Sequence, residues 1–323
     1  MYAGSLTGKL LLAFAATAGT AHAAPYPDKP IRFIVAFAAG GSIDLLARLF
    51  AQKLSENLGQ QIVVDNRPGA GGNLSAEISA RSAPDGYTIY ICAPSLVVNA
   101  ALYTKITYDP IRDFAPVTLL ASVQNVLVAY PGFPAKSVQE LIALATSKPG
   151  QINYASTGSG SSGHLVMEMF RSQAGITLTH VPYKTIGQTT ADLISGQVSL
   201  WFPTIPGALP HIRGGRMRAL AVAGAQRSPA LAEIPTVAEA AALPGFDATT
   251  WYAVLTPAGT PYEIIAKLNT AFLRVLRSPG VQERLSVQGI ESIGSTPPQL
   301  AAHLRSELPK WAQVVKAAGV RAD

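Results

Sequence analysis

Ile31-Arg-Phe-Ile-Val-Ala36, followed by Phe37-Ala-Ala-Gly-Gly-Ser42 and an amphipathic run over 43–58, is the stretch that decides the fold of this 323-residue chain. The first segment is dominated by β-branched and aromatic residues, which suit a buried, pleated strand. The second supplies glycines for a tight turn and ends on Ser42, a good helix N-cap residue, with Asp44 in the first turn beyond it. The third repeats its apolar residues at helical spacing. The three together read as a βα unit, and the unit recurs. Gln61-Ile-Val-Val-Asp65 leads through Arg67-Pro-Gly-Ala-Gly-Gly72 into a helical stretch ending near Arg81, and Thr88-Ile-Tyr-Ile-Cys92 follows as a strand. Strands alternating with helices of this length predict an α/β protein whose mostly parallel sheets are flanked by helices.

The same rhythm restarts in the middle of the chain. Strands are predicted at 125–129, 152–155 and 178–181, with helices at 137–147 and 164–174 between them, and further units at 189–195, 198–202 and 219–223. Pro and Gly cluster over 229–245, an extended passage out of a lobe. Thr250-Trp-Tyr-Ala-Val-Leu255 then reads as a strand, and the remainder is helical. The last helix carries a stripe of Leu300, Leu304, Leu308, Trp311 and Val315, the spacing of a docked face, and Pro309 inside it is expected to kink or divide it. The length exceeds what one core usually supports and predicts two lobes.

Composition excludes several classes. With 48% hydrophobic and 14% charged residues the chain is not disordered. Lys9, an apolar run over 10–18 and Ala21-His22-Ala23 form a signal-peptide pattern, so residues 1–23 are expected to leave and the product to reach the periplasm. The apolar run is too short to span a bilayer. Cleavage removes one lysine and no acid, which lowers the formal +6 by one and leaves a thin basic bias. The basic cluster His211, Arg213, Arg216 and Arg218 has no aromatic residues interleaved, so nucleic acid is not the expected partner. Cys92, the one cysteine, lies in a strand and reads as a core residue. The four histidines left after cleavage show no metal-ligand spacing, so no metal is expected.

Two loops carry the chemistry. Gly158-Ser-Gly-Ser-Ser-Gly163 fits G-x-G-x-x-G between a strand and a helix, but no carboxylate follows between Glu168 and Asp192 to hold a ribose, and no nucleotide cofactor is expected. What remains is a glycine- and hydroxyl-rich loop feeding a helix N-terminus, which offers free N–H groups and a positive dipole end to a small anion such as a carboxylate. Ala39-Gly-Gly-Ser42 offers the same in the first lobe. Two such loops in two lobes predict a cleft. G-x-S-x-G is absent and no acid adjoins His164, so covalent catalysis is unsupported. A periplasmic hydrolase using Ser161 and His164 is the alternative of the enzyme class.

The chain also resembles a known family, the extracytoplasmic solute receptors of tripartite tricarboxylate transporters, the Bug or TctC-like proteins. The resemblance runs through Tyr26-Pro-Asp-Lys-Pro-Ile31, Gly40-Gly41 with Asp44 and Arg48, Asn66-Arg-Pro-Gly-Ala-Gly-Gly72, Pro84-Asp-Gly-Tyr87, Tyr108-Asp-Pro110, Asp113-Phe-Ala-Pro116 and His180-Val-Pro-Tyr-Lys184. It continues through Arg218-Ala-Leu-Ala-Val222, Pro235-Thr236 with Glu239, Pro257-Ala-Gly-Thr-Pro261 and Lys310-Trp311. It implies a two-lobed periplasmic binding protein of type II-like architecture, one lobe discontinuous (24–121 with 248–323) and the other over 122–247. It implies a monomer without a cofactor that closes on a small organic carboxylate and passes it to permease subunits. A sensor subunit that presents ligand to a membrane kinase would use the same lobes.

Carried over by motif, the resemblance puts Phe37, Gly40, Gly41, Ser42 and Asp44 at the ligand, with Ser95 after the next strand. The second lobe adds Thr157, Gly158, Ser161, His164 and Tyr183. Relatives usually carry prolines where this chain has Ala36, Ala38 and Ala39, and Gly where it has Thr185. Pro203 stands where many carry an Asp able to pair with an amino or hydroxyl group, so a cationic amino acid is a poor expectation here.

Overall fold

The structure is a computed structural model and describes Met1 and residues 26–318. The signal-segment reading therefore falls, apart from Met1, outside the described residues. The chain begins with β1 (Ile31–Val35), α1 (Ser42–Leu58), β2 (Ile62–Asn66), α2 (Asn73–Ala80), β3 (Thr88–Cys92), α3 (Ser95–Leu102) and β4 (Phe114–Val123). It passes into a second sheet through β5 (Val126–Ala129), α4 (Val138–Ser147), β6 (Asn153–Ser156), α5 (Ser162–Ala174), β7 (Thr179–Pro182), α6 (Ile186–Ile194), β8 (Leu200–Trp201), α7 (Ile205–Arg213), β9 (Arg218–Val222) and α8 (Val237–Ala241). It then returns with β10 (Thr250–Pro257), α9 (Tyr262–Leu276), α10 (Pro279–Val287), β11 (Ile290–Ser292) and α11 (Pro297–Ala318). Among the described residues the strand orders are β11-β4-β10-β3-β1-β2 and β7-β6-β8-β5-β9.

The α/β class and the two sheets flanked by helices are as the sequence predicts, and most strands of each sheet run the same way, with antiparallel neighbours added in both. The βα units give the parallel pairs, β2-β1-β3 and β7-β6-β8. The antiparallel pairs are made by β10 between β3 and β4, β11 beside β4, and β5 between β8 and β9. β4 is not among the strands expected from the sequence, and Pro116 lies within it. That proline pairs with Leu255 at a register irregularity, where a missing N–H does no harm to the ladder.

Each sheet has its own core. In the first, Phe272 of α9 stacks on Phe50 of α1 at 5.7 Å and meets Phe33 of β1 edge-on at 6.0 Å. Removing such a buried ring costs about 3–5 kcal/mol. In the second, Tyr154, Phe170 and Phe202 are fully buried. The chain crosses between the sheets twice, and Asn125 ties the crossings together. Its Nδ2 donates to Phe202 O at 2.7 Å and its Oδ1 accepts from Thr250 Oγ1 at 2.8 Å.

α11 is not divided at Pro309. Tertiary contacts carry the helix through: Leu300, Leu304 and Trp311 are buried, and the Glu307 carboxylate accepts from the indoles of both Trp251 and Trp311 at 2.7 Å. Burial alone would raise the Glu307 carboxyl, but the two indoles and Lys310 outweigh it and hold it low. No described helix is long and apolar enough to cross a membrane.

Candidate functional site

Between the two sheets lie an inner cavity of about 80 Å³ and an outer one of about 440 Å³, which share Phe37, Thr157 and Ile186 as walls. From the first sheet, the loop after β1 brings Gly40, Gly41 and Ser42 to the inner cavity. Gly40 has φ +92°, a conformation that glycine adopts without the Cβ penalty, and its N–H donates to Asp44 Oδ2 at 3.0 Å. Asp44 lines neither cavity. It is 4% exposed and also accepts from Arg48 Nε and Asn66 Nδ2, each at 3.0 Å. Burial would raise its carboxyl, but the bonds from Arg48, Gly40 and Asn66 prevail and keep it below the usual carboxylate range. Asp44 thus braces the loop from behind.

α1 starts without a side-chain cap on Gly41, and its first intrahelical bond runs from Leu45 N–H to Gly41 O. The N–H groups of Ser42, Ile43 and Asp44 consequently have no acceptor within the helix. The Ser42 hydroxyl reaches across the cleft to Thr204 Oγ1, 2.5 Å away.

The second sheet mirrors this. The loop after β6 brings Thr157 and Ser161 to the inner cavity, and Thr157 and Gly158 to the outer. α5 likewise starts without a side-chain cap, and its first bond runs from Leu165 N–H to Ser161 O. Ser161 is 2% exposed and its hydroxyl has no hydrogen-bond partner among the described residues. Gly163 is required for packing, because a Cβ there would lie 2.6 Å from Phe202 O. His164 lines neither cavity. Its Nδ1 accepts from Gly160 N–H at 3.1 Å, and its ring stacks on His180 at 4.3 Å. Burial, with His180 adding to it, pushes His164 down to about 4, so it is a neutral acceptor propping the loop. His180 Nε2 lies 2.6 Å from Ser156 Oγ, which in turn accepts from Gly158 N–H at 3.1 Å.

Of the remaining sequence-predicted residues, Tyr183 lines the outer cavity and Pro203 the inner. Ser95 lines neither. It lies beneath the outer wall, its Oγ 3.1 Å from where a Gly72 Cβ would stand. Among the inner-wall residues that sequence reasoning missed are Trp201, Thr204, Ile186 and Tyr252. The signal for Trp201 was its place at the carboxyl end of a strand parallel to β6, where open α/β sheets form their ligand crevices. Among the described residues no Asp or Glu lines either cavity.

Two α/β lobes meeting over a cleft into which a helix N-terminus points from each side define a solute-binding protein. A family model described as the tripartite tricarboxylate transporter family receptor matches residues 46–320. The chain belongs to that family of periplasmic solute-binding receptors. Protein BugT of Bordetella pertussis is 38% identical over 313 residues, which are 95% of this chain and 96% of BugT. The R. palustris protein Rpa4515, solved with adipate, superposes with a TM-score of 0.88 at 38% identity, covering 92% of this chain and 99% of that one. MatC of Rhodopseudomonas palustris, solved with bound malate, gives 0.85 at 34% identity over 90% of this chain and 100% of its own.

Proposed function

We propose that this receptor captures a small organic carboxylate by closing its lobes and delivers it to the permease of a tripartite transporter. The observation that carries the reading is the convergence at the inner cavity. The N-termini of α1 and α5 and the buried, unpartnered Ser161 hydroxyl meet where, among the described residues, no acid opposes an anion. The adipate and malate held by the two solved relatives support the same ligand class. Pro203 in the inner wall brings no carboxylate for an amino group, which argues against a cationic amino acid. In this reading the lobes are 24–121 with 248–323 and 122–247. The two crossings pinned by Asn125 would serve as the hinge. The mature chain begins after Ala23 and acts as a monomer.

Hydrolysis is the weaker reading. His164 spends Nδ1 on Gly160 N–H, and Ser161 has no base within hydrogen-bond reach among the described residues. Isothermal titration of the mature protein with a panel of mono- and dicarboxylates, lysine and arginine tests the proposal. Saturable binding of one or more acids and none of the basic amino acids is expected. Tight binding of lysine or arginine with no response to any acid would overturn it.

A further inference from the structure

A groove of about 530 Å³ lies on the far side of the two crossings from the cleft. Strand order puts it there. In the first sheet, β11-β4-β10-β3-β1-β2, the loops after β1 and β3 wall the cleft, whereas β11, on the other side of β4 and β10, walls the groove. In the second, β7-β6-β8-β5-β9, the ends of β6 and β8 wall the cleft, and residues 226–229 after β9, on the other side of β5, wall the groove. Gln124 and Thr249, one from each crossing, line the groove between these walls. Two bodies turning about such crossings narrow the cleft only by widening the groove. In this structure the cleft walls touch, with Ser42 Oγ 2.5 Å from Thr204 Oγ1, and the groove stands open. Its facing walls carry opposite charges. Among the described residues that line it, Arg227 on the second sheet's side and Glu291 of β11 are the only charged residues. They do not meet here. Arg227 Nε donates to Glu239 Oε2 at 2.9 Å and its Nη1 to Ala232 O at 3.4 Å, so Nη2 has no partner among the described residues. Glu291 Oε2 accepts from Ser122 Oγ at 3.0 Å, and its Oε1 likewise has no partner among them.

We infer that Arg227 and Glu291 are an open-state latch, an ion pair that forms across the groove when the cleft opens and breaks when it closes. The planar guanidinium reaches Glu291 through Nη2 without giving up Glu239. This inference rests on the lobe closure proposed above and adds to it the contact that opposes closure. The latch lowers the fraction of ligand-free molecules that are closed, and apparent affinity falls with that fraction although neither residue touches the ligand. Both side chains are exposed, so the effect is modest and sensitive to salt.

Titration of wild type, Arg227→Gln, Glu291→Gln and the double variant with a panel of mono- and dicarboxylates tests it, together with small-angle scattering of the four ligand-free proteins. Each single variant should bind the acids that wild type binds about threefold more tightly at low ionic strength, with the gain shrinking in salt. Each should also have a smaller ligand-free radius of gyration than wild type. The double variant should gain no more than either single one. Arg227→Gln decides between the latch and net charge, because removing a positive charge would by long-range attraction alone weaken the binding of an anion. Unchanged or weaker acid binding by Arg227→Gln, with wild type still binding, would overturn the latch and leave the carboxylate receptor standing. Gains that add in the double variant would overturn the pairing of the two residues. Binding of no acid by any of the four would overturn the receptor reading and this inference with it.

Discussion

Ser161 is the residue whose placement is hardest to explain by folding alone. A buried hydroxyl without a partner costs stability, about 1–3 kcal/mol by mutational measure, unless a ligand completes it. Ser161→Ala should therefore leave the melting temperature unchanged or raise it slightly, while carboxylate affinity falls about tenfold, the value of one hydrogen bond to a charged group. Calorimetric melting beside titration checks this, and a lower melting temperature with unchanged affinity would assign the hydroxyl a structural role instead. At this scale the sequence was partly legible. Glycines and hydroxyls before a helix announced the two loops, but nothing in the residue types distinguished those lining a cavity from those bracing it. Asp44, Ser95 and His164 stand one layer behind because each finds loop backbone or a neighbouring wall before it can reach the cleft. Trp201 and Tyr252 fall within segments predicted as strands, and only the meeting of two sheets brings them to a cavity.

At the scale of the element, the start of α5 couples the loop to pH. His164 titrates near 6.5 in an unfolded chain and near 4 in the folded one, because burial and His180 disfavour its charge. Above about pH 6.5 both states are neutral and the group contributes nothing. Between there and about pH 4 the unfolded chain binds the proton and the folded one does not, so stability falls as pH falls. The loss is at most about 3 kcal/mol at ~1.36 kcal/mol per pH unit. Protonation would also remove the acceptor of Gly160 N–H and set a cation at a helix N-terminus. Urea denaturation of wild type and His164→Gln from neutral to acidic pH should show a shallower slope in the variant, and parallel curves would remove His164 as the source. The elements themselves were legible where local pattern and tertiary contact agree, as in the βα units. They were not where tertiary pairing overrides the local signal, as at Pro116 within β4 and Pro309 within α11.

For the whole molecule, the lobes touch across the cleft at points that the proposed closure would bring together. Ser42 meets Thr204, a Gly41 Cβ would stand 3.1 Å from Ile186 Cδ1, and a Gly71 Cβ would stand 2.5 Å from Ser159 O. These contacts differ in what they tolerate. At Gly41, φ is −87°, open to any residue, and the neighbour is the flexible end of an isoleucine, so Gly41→Ala should be mild and Gly41→Val worse. At Gly71 the neighbour is backbone and φ is +62°, so neither side yields readily. Gly71→Ala pays about 1–2 kcal/mol locally for the left-handed conformation, which the folded lobe survives. Across the cleft, however, the methyl must hold the lobes apart. Apparent affinity scales with the fraction of molecules able to close, so a penalty of about 1.4 kcal/mol on closure weakens binding about tenfold without altering any ligand contact. Small-angle scattering of Gly71→Ala should then give a larger radius of gyration than wild type at saturating ligand, with a melting temperature only a few degrees lower. If the variant compacts on binding as wild type does, Gly71 is not a closure contact, and the tight approach of its backbone to Ser159 serves the loop alone.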